Sequence, residues 1–257
     1  MLVLLSCAKT MSAVSKVKVP LTTSPRFQKE AAEIALQMSQ FSVDELERLL
    51  RVNAKIAVEN YKRYQAFHAE ATPELPALLA YTGIVFKRLN PKDFSAEDFG
   101  YAQEHLRLTS FCYGLLRPLD VIRAYRLEGD VVLPELGNQT LFSYWRSRLT
   151  DTFIEDIRSA GGILCNLASD EMKSLFDWKR VESEVRVVTP EFHGWKNGKL
   201  ATIVVYTKMS RGEMTRFILK NKIGNPEELK GFSWEGFEFD ESLSDERKLV
   251  FINGMGE

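Results

Sequence analysis

The sequence predicts a mixed α/β fold, with a single compact domain over residues 1–257, a helix-rich N-terminal part and a central mixed sheet. Three observations predict it. Residues 2–5 are continuously apolar, as in a short buried strand. Helical periodicity dominates as far as residue 160, and segments rich in Val, Ile, Thr and Tyr follow it. No internal repeat, low-complexity tract or interdomain linker is visible, so one domain accounts for the 257 residues.

The first half of the chain is predicted to be mainly helical. Ser42 and Glu45 have the spacing of a capping box, in which each residue satisfies a free backbone N–H at the start of a helix. Gly114 and Pro118 are expected to end the last helix of this half, because neither residue favours a helix interior. The predicted helices cover residues 26–40, a segment from residue 42, residues 53–68 and residues 95–113.

The second half is predicted to supply most of the strands. The segment Lys196-Asn197-Gly198 contains Asn-Gly, a strong signal for a tight β-hairpin, between two β-rich segments. The tail over residues 232–252 alternates aromatic and polar residues, which predicts one or two edge strands. The other predicted elements are a helix over 140–160, a buried strand within 162–169, strands over 184–193 and 199–207, and a helix over 209–223.

Composition excludes several classes of protein. The formal charge of −1 rules out a globally basic nucleic-acid coat but leaves room for a local basic cleft. The three cysteines and three histidines are scattered, which predicts free thiols in a reducing cytoplasm and no structural metal site. The N-terminal apolar segment lacks the basic residues of a secretion signal, and no segment has the roughly 20 apolar residues of a membrane span. We therefore expect a cytoplasmic protein.

Polar and charged residues follow three predicted strands. In α/β sheets, ligands bind outside the carboxyl ends of the strands, so parallel neighbours would bring these residues together. The hydroxyl, amide and cationic groups would then suit a phosphate, either on a nucleotide or along a nucleic-acid backbone. Ordinary solvated loops are the alternative interpretation. The residues are Ser6, Lys9 and Thr10, then Asn166, Ser169, Asp170 and Glu171, and finally Lys208, Ser210 and Arg211.

Four arginines lie in the segment HLRLTSFCYGLLRPLDVIRAYRLE, residues 105–128. Arg117 is next to Pro118 at a predicted rigid turn, where it could hold an anion or pair with Asp120. The residues alone leave both possibilities open. Arg126 lies in a predicted extended segment.

Six motifs occur in an order that resembles the YaaA family over essentially the whole chain. The resemblance implies a cytosolic bacterial protein of the oxidative stress response that supports survival of peroxide and limits intracellular iron and oxidative DNA damage. It also implies a YaaA-type α/β fold with a helix-hairpin-helix and a positive cleft that bind DNA, and no established reaction. The motifs are SCAKT, HLRLTSFCYGLLRPLDVIRAYRLE, LFSYWRSRLT, NLASDE, YTKMSRGEMTRFI and GFSWEGFEF.

The resemblance also implies which residues bind the nucleic acid or another anion. The helix-hairpin-helix is predicted at residues 99–123, turning at Tyr113 and Gly114. Cys7 stands where the family usually has proline, and Ile84 and Phe86 replace the usual aspartate and tyrosine. The predicted binding residues are Lys9, Arg117, Arg126, Lys208 and Arg211, with Asn166 and Ser169 as polar support.

Two functions remain in competition. The first is a non-catalytic protein that binds double-stranded or distorted DNA with low sequence specificity. The second is an enzyme that acts on a small phosphorylated or nucleotide-like molecule, with Asp170 or Glu171 as a candidate base. An open groove would favour the first function and a closed pocket the second. Direct iron binding is not favoured because no ligand spacing is present, and no cofactor is predicted.

Overall fold

The computed structural model describes residues 1–196 and 198–254, without the side chain of Lys196. Its helices are α1 (Gln28–Met38), α2 (Val43–Leu50), α3 (Ala54–Ala66), α4 (Ala77–Ala80), α5 (Ile84–Leu89), α6 (Ala96–His105), α7 (Leu141–Ser159), α8 (Asp170–Lys173), α9 (Trp178–Glu184) and α10 (Val204–Asn221). Its strands are β1 (Leu2–Leu5), β2 (Glu74–Pro76), β3 (Leu106–Ser110), β4 (Gly114–Leu116), β5 (Val121–Arg123), β6 (Val132–Leu133), β7 (Gln139–Thr140), β8 (Ile163–Asn166), β9 (Arg186–Lys196), β10 (Lys199–Ala201), β11 (Phe237–Asp240) and β12 (Lys248–Asn253).

The N-terminal helices begin where their capping residues predict. The Ser42 side chain accepts a hydrogen bond from the backbone N–H of Glu45, and the Glu45 carboxylate accepts one from Ser42 N at 2.8 Å, which confirms the capping box. The Asn53 side chain caps α3 by accepting from the backbone N–H of Ile56 at 3.0 Å. These contacts satisfy backbone donors that have no partner within the first turn of a helix.

A mixed sheet of eight strands, within the described residues, forms the centre of the molecule and confirms the predicted fold class. Seven strands lie in the order β11-β12-β9-β8-β1-β3-β4, and β10 pairs with β9. Strands β3, β1, β8, β9 and β12 run parallel, whereas β4, β10 and β11 are antiparallel to their neighbours. Strand β1 is completely buried in the middle of the sheet, which explains its uninterrupted apolar sequence.

The helix predicted over residues 95–113 is correct only as far as His105. Residues after it form β3, which lies between β1 and β4 and is buried along its whole length. Tyr113 and Gly114 therefore lie at a turn between two strands, and the placement of a helix-hairpin-helix at residues 99–123 is wrong. Gly114 has a φ of 70°, and a Cβ there would lie 2.7 Å from the Trp145 ring, so its backbone is enclosed by the core.

The strand predicted over residues 199–207 is also too long. Only β10 is extended, and α10 begins at Val204 rather than at residue 209. Val204, Val205 and Tyr206 favour strands by propensity, but here they are exposed on the first turns of a helix that packs through later residues. Strands β9 and β10 pair antiparallel as predicted, whereas Asn197 of the predicted turn lies outside the described residues.

The C-terminal strands differ in position from the prediction. Strand β11 is an edge strand, but β12 lies inside the sheet between β11 and β9. The three cysteines are free thiols, as predicted, and Cys112 and Cys165 are fully buried. Among the described residues, none of the helices has both the length and the apolar character needed to cross a membrane.

Candidate functional site

The candidate site lies where three parallel strands end. Strand β1 lies between β8 and β3, and the chain visits β3 on one side of β1 before it reaches β8 on the other. Such a change in direction leaves a crevice at the carboxyl ends of the strands. A pocket of about 330 Å³ occupies this crevice, and Ser6, Phe111 and Leu167, which follow the three strands, are among its lining residues.

The floor of the pocket is mostly apolar. Helix α5 contributes one wall, and Gly83 before it packs so tightly that a Cβ there would lie 2.8 Å from Cβ of Ala8. The Tyr125 hydroxyl at the floor lies 2.7 Å from the hydroxyls of both Tyr81 and Ser110, and burial raises the pKa of Tyr125 well above its usual value. The phenol therefore stays neutral. Apolar lining residues are Leu5, Ala8, Ile84, Val85, Phe86, Phe111, Leu127, Leu167 and Met172.

Glu128 joins two of the cationic side chains. Its carboxylate accepts a hydrogen bond from Lys9 Nζ at 2.7 Å and lies 3.8 Å from Nη2 of Arg126. The Glu128 side chain is 5% exposed and that of Arg126 is 17% exposed, but that of Lys9 is 58% exposed. Lys9 therefore remains accessible at the rim, whereas Arg126 lies deeper and its Nε has no hydrogen-bond partner among the described residues.

Helix α10 adds Lys208 and Arg211 to the lining of the pocket. Lys208 is exposed, and Arg211 is partly buried with no hydrogen-bond partner for its Nε within the part of the chain described. Burial lowers the pKa of Arg211, although nearby Asp170 opposes the shift. A partly desolvated guanidinium with an unused donor is suited to an anionic oxygen.

Ser6 and Ser169 connect the loops that follow β1 and β8. The backbone N–H of Ser169 donates to Ser6 Oγ at 2.9 Å, and the two hydroxyls lie 3.3 Å apart. Ser169 precedes α8, but its side chain makes no capping hydrogen bond to that helix. Its hydroxyl belongs to the pocket instead. Cys7 also lines the pocket, and burial raises the pKa of its thiol to about 12, which keeps it protonated at neutral pH.

The structure therefore brings together five of the predicted binding residues: Lys9, Arg126, Ser169, Lys208 and Arg211 all line the pocket. Ser6, Thr10 and Glu171, expected at the same edge, line it as well. Strand ends explain only part of this convergence, because Lys208 and Arg211 lie on a helix. The parallel pairing of β1 with β8 is as the prediction requires.

Arg117 and Asn166 lie elsewhere. Arg117 follows β4, which runs antiparallel to β3, so its end of the strand points away from the pocket. Its Nη2 donates to Asp120 Oδ1 at 2.9 Å and to the Ser24 carbonyl at 3.2 Å, which makes it a structural ion pair. Asn166 is buried below the pocket, where its Oδ1 accepts from the backbone N–H of Ala168 at 3.2 Å and shapes the turn after β8.

The cationic side chains of the site suit an anion. Of the two candidate bases, Glu171 lines the pocket, whereas Asp170 is poorly suited to acid–base catalysis. None of the pocket-lining residues that the structure describes is a histidine. Asp170 has a side chain that is 91% exposed, and a hydrogen bond from Lys173 at 2.8 Å lowers its pKa. A solvated carboxylate with a lowered pKa is a poor general base. Within residues 1–196 and 198–254, no group of three or more His, Cys, Asp or Glu is placed to hold a metal ion.

Sequence reasoning missed the apolar part of the site. Ile84 and Phe86 come from α5, Phe111 follows a strand predicted to be helical, and Met172 lies on α8. Their separation along the chain left no local pattern to detect. The one available signal in the sequence was the two-residue alternation of Leu106 and Leu108, which fits a strand such as the buried β3.

Comparisons with known proteins identify the family of the chain. The family model described as "Peroxide stress protein YaaA" matches residues 1–243. The chain is 99% identical over 257 residues to a UPF0246 protein of Bacteroides thetaiotaomicron, with all of both chains covered. It is 38% identical over 253 residues to a UPF0246 protein of Crocosphaera subtropica, covering 98% of this chain and 100% of the relative. The resemblance found in the motifs is confirmed, and the chain belongs to the family of the peroxide stress protein YaaA.

Proposed function

We propose that the pocket at the ends of β1, β3 and β8 binds a small phosphorylated, nucleotide-like molecule. The observation that supports this most is the combination of an apolar lining with four cations from two parts of the fold, Lys9 and Arg126 from loops and Lys208 and Arg211 from α10. A base or another flat apolar group can pack on the floor, and the guanidinium and ammonium groups can hold the phosphate.

The size of the pocket also favours a small ligand. Small-molecule sites usually have volumes of about 300–1,000 Å³, and this pocket of about 330 Å³ lies at the low end of that range. A DNA duplex, whose major groove alone admits an α-helix, is too large to enter a cavity of this volume and would have to bind at its rim. A mononucleotide fits these dimensions better than a helix of nucleic acid does.

Calorimetric titration of the full chain with a panel of purine and pyrimidine nucleotides tests the proposal. We expect at least one nucleotide to bind, and Lys208→Gln or Arg211→Gln to weaken binding about tenfold or more, because each removes a charged hydrogen-bond donor. Matched controls are Lys62→Gln and Arg48→Gln, which remove the same charges from exposed positions on α3 and α2. No binding of any nucleotide at millimolar concentration would contradict the proposal.

DNA binding is a second candidate function, favoured by the exposed Lys9 and Lys208 at the rim of the pocket. These side chains are available to phosphates that never enter the cavity. If the protein has this second function, it is a cytoplasmic protein that shields DNA during peroxide stress, and any effect on iron is indirect. Duplex binding should weaken with salt by a log–log slope of about −0.9 per phosphate contact. Replacement of Lys208 and Arg211 by glutamate should flatten that slope, and an unchanged slope would exclude this surface.

A further inference from the structure

We infer that the pocket takes a terminal phosphate monoester together with the one nucleoside that carries it, rather than the phosphodiester of a nucleic-acid backbone. This inference rests on the proposed function and narrows it to one ligand class. A monoester at neutral pH carries a charge of about −1.5 to −2 and three strongly accepting oxygens. A diester carries a single negative charge on two such oxygens.

The charge of the site matches the monoester. The four cationic side chains that line the pocket are accompanied by two carboxylates, Glu128 beneath Lys9 and Arg126, and Glu171 at the rim. Asp170, which also acts on Arg211, is already paired with Lys173 at 2.8 Å. Four cations and two carboxylates leave the site with a net charge of about +2. Because Arg126 and Arg211 are partly removed from water, a dianion compensates this charge better than a monoanion, which leaves one positive charge unbalanced.

The arginine N–H donors that have no acceptor also favour a monoester. Arg126 Nε and Arg211 Nε are buried without hydrogen-bond partners in the described residues, and both arginines line the pocket. Buried N–H groups of this kind are costly unless an acceptor reaches them. A terminal phosphate can turn one oxygen toward each arginine and keep a third for Lys208. In a diester, two of the four oxygens carry carbon substituents and accept more weakly, so fewer donors are satisfied.

The apolar floor determines which group can accompany the phosphate. Ile84, Phe86, Phe111 and Met172 offer a surface for one flat ring, and the volume of about 330 Å³ is small for a second nucleotide. The phosphate lies toward the cations at the rim, where Lys9 and Lys208 are exposed. A free mononucleotide and the phosphorylated end of a nucleic-acid strand share this chemistry, so both are possible sources of the same group.

The test compares matched ligands on the unmodified full chain by calorimetry. Adenosine and cytidine 5′-monophosphates carry the monoester, and their 3′,5′-cyclic forms carry the same base and sugar with a diester. We expect the monoesters to bind about tenfold more tightly or better, because they gain a charge and a charge-assisted hydrogen bond. Arg211→Gln should reduce this ratio toward one, and Arg48→Gln should leave it unchanged.

Short single-stranded oligonucleotides with and without a 5′-phosphate identify the source of the group. Tighter binding of the phosphorylated oligonucleotide supports a strand end, and binding of mononucleotides alone supports a free nucleotide. Cyclic and open nucleotides binding equally well would overturn the monoester inference while leaving the nucleotide pocket intact. Absence of binding by every nucleotide and oligonucleotide would overturn the proposed function itself.

Discussion

Replacing Gly212 with alanine should destabilise the protein and distort the pocket. Gly212 lies in α10, where a Cβ would be 2.8 Å from Cβ of Arg88, 3.1 Å from the carbonyl carbon of Val85 and nearer still to the Val85 oxygen. Carbon atoms in contact lie about 3.5–4.0 Å apart, so α10 must move away from α5. Overpacking of this kind costs about 1–3 kcal/mol, and the better helix propensity of alanine offsets about 1 kcal/mol.

We therefore expect a net loss of up to about 2 kcal/mol in the free energy of unfolding, measured by urea denaturation. Nucleotide affinity should fall as well, because the same helix carries Lys208 and Arg211. Gly100 in α6 is the matched control, since a Cβ there meets nothing within 4 Å. Gly100→Ala should stabilise the protein by about 0.5–1 kcal/mol. A Gly212→Ala variant as stable as the Gly100→Ala variant would refute the reasoning.

Three further predictions concern charge, acid and thiol chemistry. Ile84→Asp puts a carboxylate on the pocket wall at the first residue of α5, a position where helices tolerate acidic residues. Because this carboxylate repels a phosphate, nucleotide affinity measured by calorimetry should fall about tenfold or more. Burial acts to raise the pKa of Asp98, but hydrogen bonds from Lys220 and Ser95 outweigh it and lower the pKa to about 2. The ionised carboxylate thus contributes stability that is present above about pH 4 and lost toward pH 2, and Asp98→Asn should flatten the unfolding profile in that window. Because burial raises the pKa of Cys7 to about 12, its thiol should react with iodoacetamide and hydrogen peroxide much more slowly than free glutathione at neutral pH, as followed by mass spectrometry.

Each of these has a control. Ile84→Val keeps the wall apolar, and equal affinity of the valine and aspartate variants would exclude contact between ligand and wall. The exposed Glu70 offers a carboxylate for comparison with Asp98, since Glu70→Gln should leave the acid profile unchanged. Identical acid profiles of Asp98→Asn and the unmodified chain would contradict the linkage. Rapid alkylation of Cys7 in the folded protein would contradict its protection, whereas rapid alkylation only in urea would agree with it.

The sequence predicted the parts of the fold that local physics controls. Strand β1 is continuously apolar because both of its faces are buried, and the capping box of α2 depends on two residues three apart. The position of Lys9 was also accessible, because it follows β1, and parallel neighbours such as β1 and β8 place their carboxyl ends at one edge. The strand and the capping box need no knowledge of distant contacts.

The errors came from residues whose conformation is decided by distant partners. Residues 106–110 have helix-compatible side chains, but pairing with β1 and β4 satisfies their backbone and makes them a strand. Val204 and Tyr206 favour strands, but α10 starts there because its later turns pack on α5. The apolar floor of the pocket is assembled from short segments spread between Leu5 and Met172. Arg117 was assigned to the site by the family resemblance, whereas β4, which carries it away from the pocket, was not predicted as a strand.

The buried carboxylate of Glu128 also affects the protein when no ligand is bound. By contacting both Lys9 and Arg126 it acts as a built-in counterion for one of the two charges, so this part of the pocket is held together without any bound molecule. A visiting anion finds these side chains already positioned, and it compensates the remaining charge here together with the charges on α10. Recognition can then be fast, because little rearrangement precedes it.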